Sequence, residues 1–509
     1  MKKLAFILCV ASAMPGAQTQ KKDYPHRWVY VSRGLMSDQD VEDIRRIART
    51  AAESGLTALA LSARMDAMDL KPPGYFRRLA EIKRICDDLK LEIIPHVFST
   101  GYGGSVLAHD KNLAAGLPVR DSLFLAGKRE ARFAEEEPAR LQSTSGEDRL
   151  AQEIRVRPYR CYRFRLRVKA EGVKPRTPFS VRAFTEDGRD MSRYESFLPE
   201  TGEWRELAGA FNSWYAEKIR LEMGARRGAA GRVWIDGLRV EEVGLTNVLR
   251  RPGTPVRVRN EKTGVEFAEG KDFVSIADPN LNFRWNHDGP PIQLLPGGRI
   301  RAGDRLRVGY FHGTTIYRDQ VVVCMSEPKL YEIWEKQIPL IEKHVRPSKY
   351  FLSMDEVRIG GHCEACRKRN MSMARILGEC LTRQVQMIRK ANPKAEVFVW
   401  SDMLDPNHNA RPNYYMVDGD FTGSWEYAPR DLRIVCWYFD KRRPSLDHFS
   451  KLGFQTVGGA YYDADDLSNP QGWLEALDAT PGAIGIMYTT WENKYGLLAD
   501  FGGLVRRRQ

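Results

Sequence analysis

The chain has 509 residues, of which 42% are hydrophobic, 28% charged and 10% aromatic, and its mean hydropathy is -0.47. That balance supplies a large core and excludes a collagen, a wholly disordered chain and a multi-span membrane protein. The formal net charge of +13 is spread along the sequence, with Arg506, Arg507 and Arg508 as its densest run. It therefore points to solubility and attraction to anionic polymers, and no nucleic-acid partner is expected.

Lys2 and Lys3 precede an apolar stretch at 4–10, followed by the small residues Ala11, Ser12, Ala13 and Ala17. This is the pattern of a secretory signal over 1–20, so the chain is expected to be exported, periplasmic or extracellular, after cleavage. The apolar stretch is too short for a stable anchor. No later window approaches the roughly 20 apolar residues of a membrane helix, so stable membrane insertion is not expected.

From Arg27 onward, buried-strand runs alternate with amphipathic helices. A strand and its exit loop at 28–36, a helix at 41–55, a strand at 56–62, a helix at 75–90 and a strand at 91–98 make three βα steps. The rhythm stops at the Gly-rich loop 99–105. Short, turn-bounded, alternating strands follow at 159–172, 178–188, 204–212, 218–225 and 231–243, as in a β-sandwich. The T-G-E-W turn at 201–204 and the strand V-W-I-D-G-L-R-V make this block resemble jelly-roll carbohydrate-binding modules, with Trp204 and Trp234 read as sandwich core. A strand-like segment at 299–312 leads back, and the βα rhythm resumes with a helix at 327–345.

Strands at 349–356, 395–402, 433–440, 454–465 and 483–492, with a helix at 373–390 after the first, bring the total to eight. The expected fold class is α/β: a (β/α)₈ TIM barrel interrupted by an inserted β-sandwich. Its expected divisions are a signal at 1–20, the first part of the barrel at 21–117, the sandwich insert at 118–250, a connecting β-rich segment at 251–326 and the rest of the barrel at 327–509.

Cys363 and Cys366 form a C-x-x-C preceded by His362. They read as a disulfide, as plain thiols, or as half a zinc site, but no second C-x-x-C or H-x-x-x-H completes a ligand set. No metal and no organic cofactor is expected. P-loop, dinucleotide, H-E-x-x-H and G-x-S-x-G motifs are absent from the sequence.

In such a barrel the C-terminal strand ends face the active site. Arg33 ends the first strand, Asp355 and Glu356 the fourth, Trp400 and Asp402 the fifth, Trp437 and Tyr438 the sixth, Tyr461, Tyr462 and Asp463 the seventh, and Trp491 and Glu492 the eighth. Carboxylates ringed by Trp and Tyr suit a sugar, whose C–H faces stack on rings while its hydroxyls need charged partners. In the adjacent pair Asp355 and Glu356, one acid can protonate a glycosidic oxygen while the other addresses a different part of the ring. Like charges in a dry pocket raise one pKa and keep an acid protonated.

The barrel segments resemble glycoside hydrolase family 20, the β-N-acetylhexosaminidases. S-R-G-L-M-S-D at 32–38, K-Y-F-L-S-M-D-E-V at 349–357, V-W-S-D-M-L at 399–404, Y-Y-D at 461–463 and T-T-W-E at 489–492 are similar to that family's strand-end motifs, in order. The resemblance implies an exo-acting glycoside hydrolase with a glycan substrate, retaining through the substrate's own 2-acetamido group. By the same resemblance Glu356 is the general acid, Asp355 orients the acetamido group and Tyr461 holds its carbonyl. Trp400, Trp437 and Trp491 wall the pocket, while Arg33, Asp463 and Glu492 bind hydroxyls. Two features depart from the family: Phe351, Leu352, Ser353 and Met354 stand where it has H-x-G-G, and Trp491 is followed directly by Glu492. A family 123 enzyme, a glycosidase of the same scaffold acting on a non-acetamido sugar, and a non-catalytic glycan-binding protein are the alternatives.

Overall fold

The structure, a computed structural model, describes residues 22–506 apart from 175, 227 and 229. The expected leader over 1–20, and Arg507 and Arg508, lie outside the described residues. Eight strands, β1 (His26–Ser32), β2 (Ala58–Ser62), β3 (Glu92–Val97), β4 (Lys349–Leu352), β5 (Glu396–Trp400), β6 (Arg433–Cys436), β7 (Gln455–Tyr461) and β8 (Ala483–Thr489), pair in chain order as a closed barrel. The pairing is parallel throughout, and β8 closes on β1 through pairs such as Val29 with Tyr488. The chain is a (β/α)₈ barrel carrying an inserted β-sandwich.

Strand alternation decides which residues fill the cylinder. Trp28 and Tyr30 of β1 and Phe398 and Trp400 of β5 join Ala60, Ile94, Phe351, Val457 and Met487 inside it. Their neighbours Val29, Val31, Val397 and Val399 face the helices instead, as a two-residue repeat requires. Each fully buried large side chain of this interior adds roughly 2 kcal/mol.

Helices α1 (Asp38–Glu53), α2 (Pro73–Asp88), α3 (Pro328–His344), α4 (Met373–Ala391), α5 (Arg442–Lys451), α6 (Ser468–Asp478) and α7 (Leu498–Arg506) cover the outside. α1 shows why they form where the sequence places them. Ser37 and Asp40 close a capping box at its start, and Val41, Ile44, Ile47, Ala48 and Ala51 recur on one face and are all buried.

Between β3 and β4 lies the insertion. Two four-stranded antiparallel sheets form the sandwich, one built around Pro178–Thr185 and Lys218–Ala225, the other around Cys161–Glu171 and Arg232–Glu242. Phe164, Leu166, Val168, Ile219, Leu221, Val233 and Ile235 fill it. Trp204, expected in that core, is 41% exposed with Arg167 over its ring. Trp234 is half-buried with Lys169 over its ring. Both sit on outward positions of strands whose alternate residues fill the interior.

A third, six-stranded sheet pairs Leu117–Ala126 with Arg305–His312. The first strand of the insertion and its last thus run side by side, and the chain leaves and rejoins the barrel at one seam. There Ala115 N donates to Val322 O at 2.7 Å and Cys324 N to Leu113 O at 2.9 Å.

Candidate active site

Asp355 and Glu356 follow β4 by three and four residues, on its exit loop at the C-terminal mouth of the barrel. Glu356 has φ 51, a left-handed conformation that a non-glycine residue keeps only when its surroundings hold it there. They do so from both sides: the Glu356 N–H donates to Asp402 Oδ2 at 2.8 Å, and Gln320 Nε2 donates to the Glu356 carbonyl at 2.9 Å.

The Gly-rich loop after β3 lies directly on this turn. A Cβ at Gly101 would stand 1.8 Å from the Asp355 carbonyl oxygen, so only glycine permits the approach. The next residue, Tyr102, then places its hydroxyl to donate to Glu356 Oε2. Asp66 supports the same loop by accepting from Phe98 N at 2.6 Å and Ser99 N at 2.9 Å.

Three acids meet here. Burial, and then the charge of Glu356, push Asp355 up to about 6, while Ser353 Oγ donates to its Oδ1 at 3.1 Å. Burial, and then the charge of Asp355, push Asp402 up to about 8, although Asn409 Nδ2 donates to its Oδ2 at 2.8 Å and Trp437 Nε1 to its Oδ1 at 3.3 Å. Glu356 instead faces a cation: Arg358 Nη2 lies 2.6 Å from its Oε1. The Arg358 guanidinium is sandwiched between the Tyr317 and Tyr415 rings at 4.7 and 5.0 Å, and its Nη1 donates to Gln320 Oε1. Asp402 is thus protonated near neutral pH, and Arg358 sets a positive charge beside the acids.

An aromatic wall adjoins the acids. Trp400 is buried beneath them, and its Nε1 donates to His96 Nε2 at 2.9 Å. Burial lowers His96 to about 3, so it is neutral and accepts at Nε2. Trp491 stands 5.9 Å from Trp400 and 6.4 Å from Trp437, and is 44% exposed. Tyr462, equally open, lies parallel to Trp437 at 6.1 Å and edge-on to Trp491. A mouth with carboxylates on one side and exposed ring faces on the other is what stacking on a pyranose requires.

Tyr461 turns away from the mouth, and Asp463, Glu492 and Arg33 are engaged by neighbouring groups. Tyr461 is 2% exposed and stacks on Tyr488 at 4.1 Å, in the layer between strands and helices. Its φ of 82 breaks the alternation that would have turned it inward, and Tyr462 faces the mouth in its place. Asp463 is occupied with the loop after β8, accepting from Thr490 Oγ1 and from Trp491 N at 2.8 Å, and so positions Trp491. Glu492 pairs with Lys494 at 3.2 Å in an exposed position. Arg33 donates to Asn493 Oδ1 and lies 3.6 Å from Asp43. Sequence reasoning missed Tyr102, Gln320 and Arg358. The glycines around Tyr102 were its one signal. Gln320 comes from the insertion, and no spacing announces it.

No protein-family model matches the chain, and the search of curated proteins found no match. Among solved structures, a GH20 exo β-N-acetylglucosaminidase from Vibrio harveyi has a TM-score of 0.41 at 9% identity, over 94% of this chain and 54% of that one. A β-N-acetylhexosaminidase from Bacteroides fragilis gives 0.39 at 8%, over 92% and 61%. A rhamnosidase from Novosphingobium sp. gives 0.37 at 10%, over 92% and 55%. The chain thus spans between half and two thirds of the length of these proteins.

Proposed function

We propose that this chain is a glycoside hydrolase that removes terminal N-acetylhexosamine from glycans, with retention, by way of the substrate's own acetamido group. One observation carries the reading: Asp355 and Glu356 stand on consecutive positions of a pinned turn, beside a buried third acid and exposed indole and phenol rings. The resemblance of the strand-end motifs to family 20 supports it.

Glu356, the carboxyl reached by Tyr102 and Arg358, takes a proton from solvent once parted from Arg358 and delivers it to the glycosidic oxygen as the C–O bond breaks. Its pairing with Arg358 must part for that step, when the leaving group seats beside it. Asp355, ionised, accepts the acetamido N–H while the acetamido oxygen attacks the anomeric carbon to give a cyclic oxazolinium. Water then opens that ring, giving its proton to Glu356 and restoring the starting configuration. Trp491, Trp437 and Tyr462 stack on the sugar, and Tyr462 takes the part at the acetamido carbonyl that the family pattern implied for Tyr461.

The test is Glu356→Gln assayed on aryl N-acetylhexosaminides. Turnover of substrates with poor leaving groups is expected to fall by about 10³ or more, with activated leaving groups less affected and glycan binding retained. A wild-type chain that turns over no aryl hexosaminide overturns the hydrolase reading. Turnover of other aryl glycosides together with indifference to a thiazoline mimic of the oxazolinium overturns the acetamido mechanism.

A further inference from the structure

Away from the acids, at the seam where the insertion rejoins the barrel, three buried cysteines converge. Cys324 Sγ lies 3.4 Å from Cys363 Sγ and 3.6 Å from Cys366 Sγ, and the last two are 3.6 Å apart. No disulfide joins them, and they are the one such cluster of potential metal ligands among the described residues. A disulfide would draw two sulfurs to about 2.05 Å. A tetrahedral Zn–S site with bonds of about 2.3 Å separates its sulfurs by about 3.8 Å, close to the triangle seen here. Such an ion would sit about 1 Å off the plane of the three sulfurs, with its fourth position on the far side.

The surroundings suit it. His362 is buried and lines the same small cavity of about 10 Å³, room for one water-sized occupant. Its Nε2 lies 2.8 Å from the Met416 carbonyl, an acceptor only, so Nε2 carries the proton and Nδ1 the lone pair. Nδ1 is buried with no hydrogen-bond partner among the described residues. A ring whose other N–H is held by a backbone carbonyl is the usual arrangement of a metal-bound histidine. Arg251, with a side chain 5% exposed, stands close enough to interact electrostatically with Cys324 and Cys363. Its Nη2 is likewise unpartnered among the described residues. Arg251 Nε also pairs with Glu327 Oε1 at 2.7 Å, so the guanidinium is shared between that carboxylate and the cysteine cluster.

We propose that Cys324, Cys363 and Cys366 bind one zinc-like, thiophilic divalent ion, with His362, whose Nδ1 stands outside the cysteine group here, shifting its ring toward the sulfurs as the fourth ligand. The ion would tie the returning end of the insertion to the exit loop of β4, on which Asp355, Glu356 and Arg358 lie. It is a structural staple, apart from the sugar chemistry.

The test uses the full chain produced in zinc-supplemented medium. Elemental analysis is expected to give about one zinc per chain, falling at least tenfold in Cys324→Ala/Cys363→Ala. Because that variant can misfold, the wild-type chain is also stripped with a chelator and titrated with Co²⁺. Thiolate-to-cobalt charge-transfer and tetrahedral d–d bands saturating at one equivalent support the site. Their absence, or a disulfide between any two of the three cysteines found by mass spectrometry of the purified protein, overturns it. In His362→Gln, competition with a chromophoric chelator is expected to show at least tenfold weaker zinc binding. Unchanged affinity overturns the assignment of the fourth ligand.

Discussion

Asp402 Oδ2 accepts the backbone N–H of Glu356 at 2.8 Å, so a carboxylate just past β5 sets the backbone of the residue beside Asp355 and, with it, the direction of both candidate acids. The same carboxyl is the most strongly raised of the three, to about 8. It is a structural pin and a titrating group at once.

Asp402→Asn separates those two properties. Wild-type kcat/KM is expected to fall as pH rises through about 8, where ionisation of Asp402 sets a further negative charge beside Asp355. The variant should lose that limb along with roughly tenfold or more of its activity. Stability has a defined sign. The raised group keeps its proton in the folded state after the unfolded chain has lost it, so raising the pH from the ordinary value near 4 to about 8 costs the wild type stability. Thermal melts at pH 5 and pH 9 check this: the Tm of Asp402→Asn minus that of the wild type should be larger at pH 9. A pH-independent difference would contradict the burial argument.

Gly101→Ala tests the approach of the Gly-rich loop. The added methyl meets the Asp355 carbonyl at 1.8 Å, and because the obstacle is backbone the loop must move, taking the Tyr102 hydroxyl off Glu356. A fall in kcat of at least tenfold is expected, with a Tm lower by several degrees, about 1–3 kcal/mol. Circular dichroism and steady-state kinetics suffice.

Asp66→Ala should reach the same loop from behind. It leaves the Phe98 and Ser99 amides buried without acceptors, a loss of roughly 2–5 kcal/mol to be read by urea denaturation. Because the wild-type carboxyl is itself pushed by burial up to about 6, the folded state binds a proton that the unfolded state releases. The wild-type advantage should therefore be larger at pH 5 than at pH 8.

Trp491→Ala and Asp463→Asn form a matched pair. The first removes a stacking face, and KM is expected to rise about tenfold, the equivalent of about 1.4 kcal/mol. The second keeps the indole but weakens the bonds to Thr490 Oγ1 and Trp491 N that hold its loop. A smaller rise in KM with little change in kcat is expected. If Asp463→Asn matched the effect of removing the acids, Asp463 would instead belong to the chemistry.

Much of the scaffold was legible from the chain. Alternation such as Trp28, Val29, Tyr30, Val31 marks a strand with two buried faces, and the helical spacing of Val41, Ile44, Ala48 and Ala51 marks a covering helix; each is a local pattern that packing then obeys. The adjacent acids and the tryptophans stood out because strand ends of a closed barrel share one mouth. Among the strand-end residues Tyr461, Tyr462 and Asp463, the sequence could not say which ring faces the mouth, because three successive left-handed residues end the strand alternation there.

The sequence by itself determined the eight-strand rhythm, the place of the interruption and the acids at the end of β4, since these depend on side-chain periodicity within a few residues. Only the tertiary structure decided what surrounds those acids. Arg358 stands two residues along the same loop, but Tyr102 and Gln320 reach Glu356 from two separate segments, and Cys324 meets Cys363 from 39 residues upstream. Such meetings are set by how the insertion folds back onto the barrel, and no spacing along the chain encodes them.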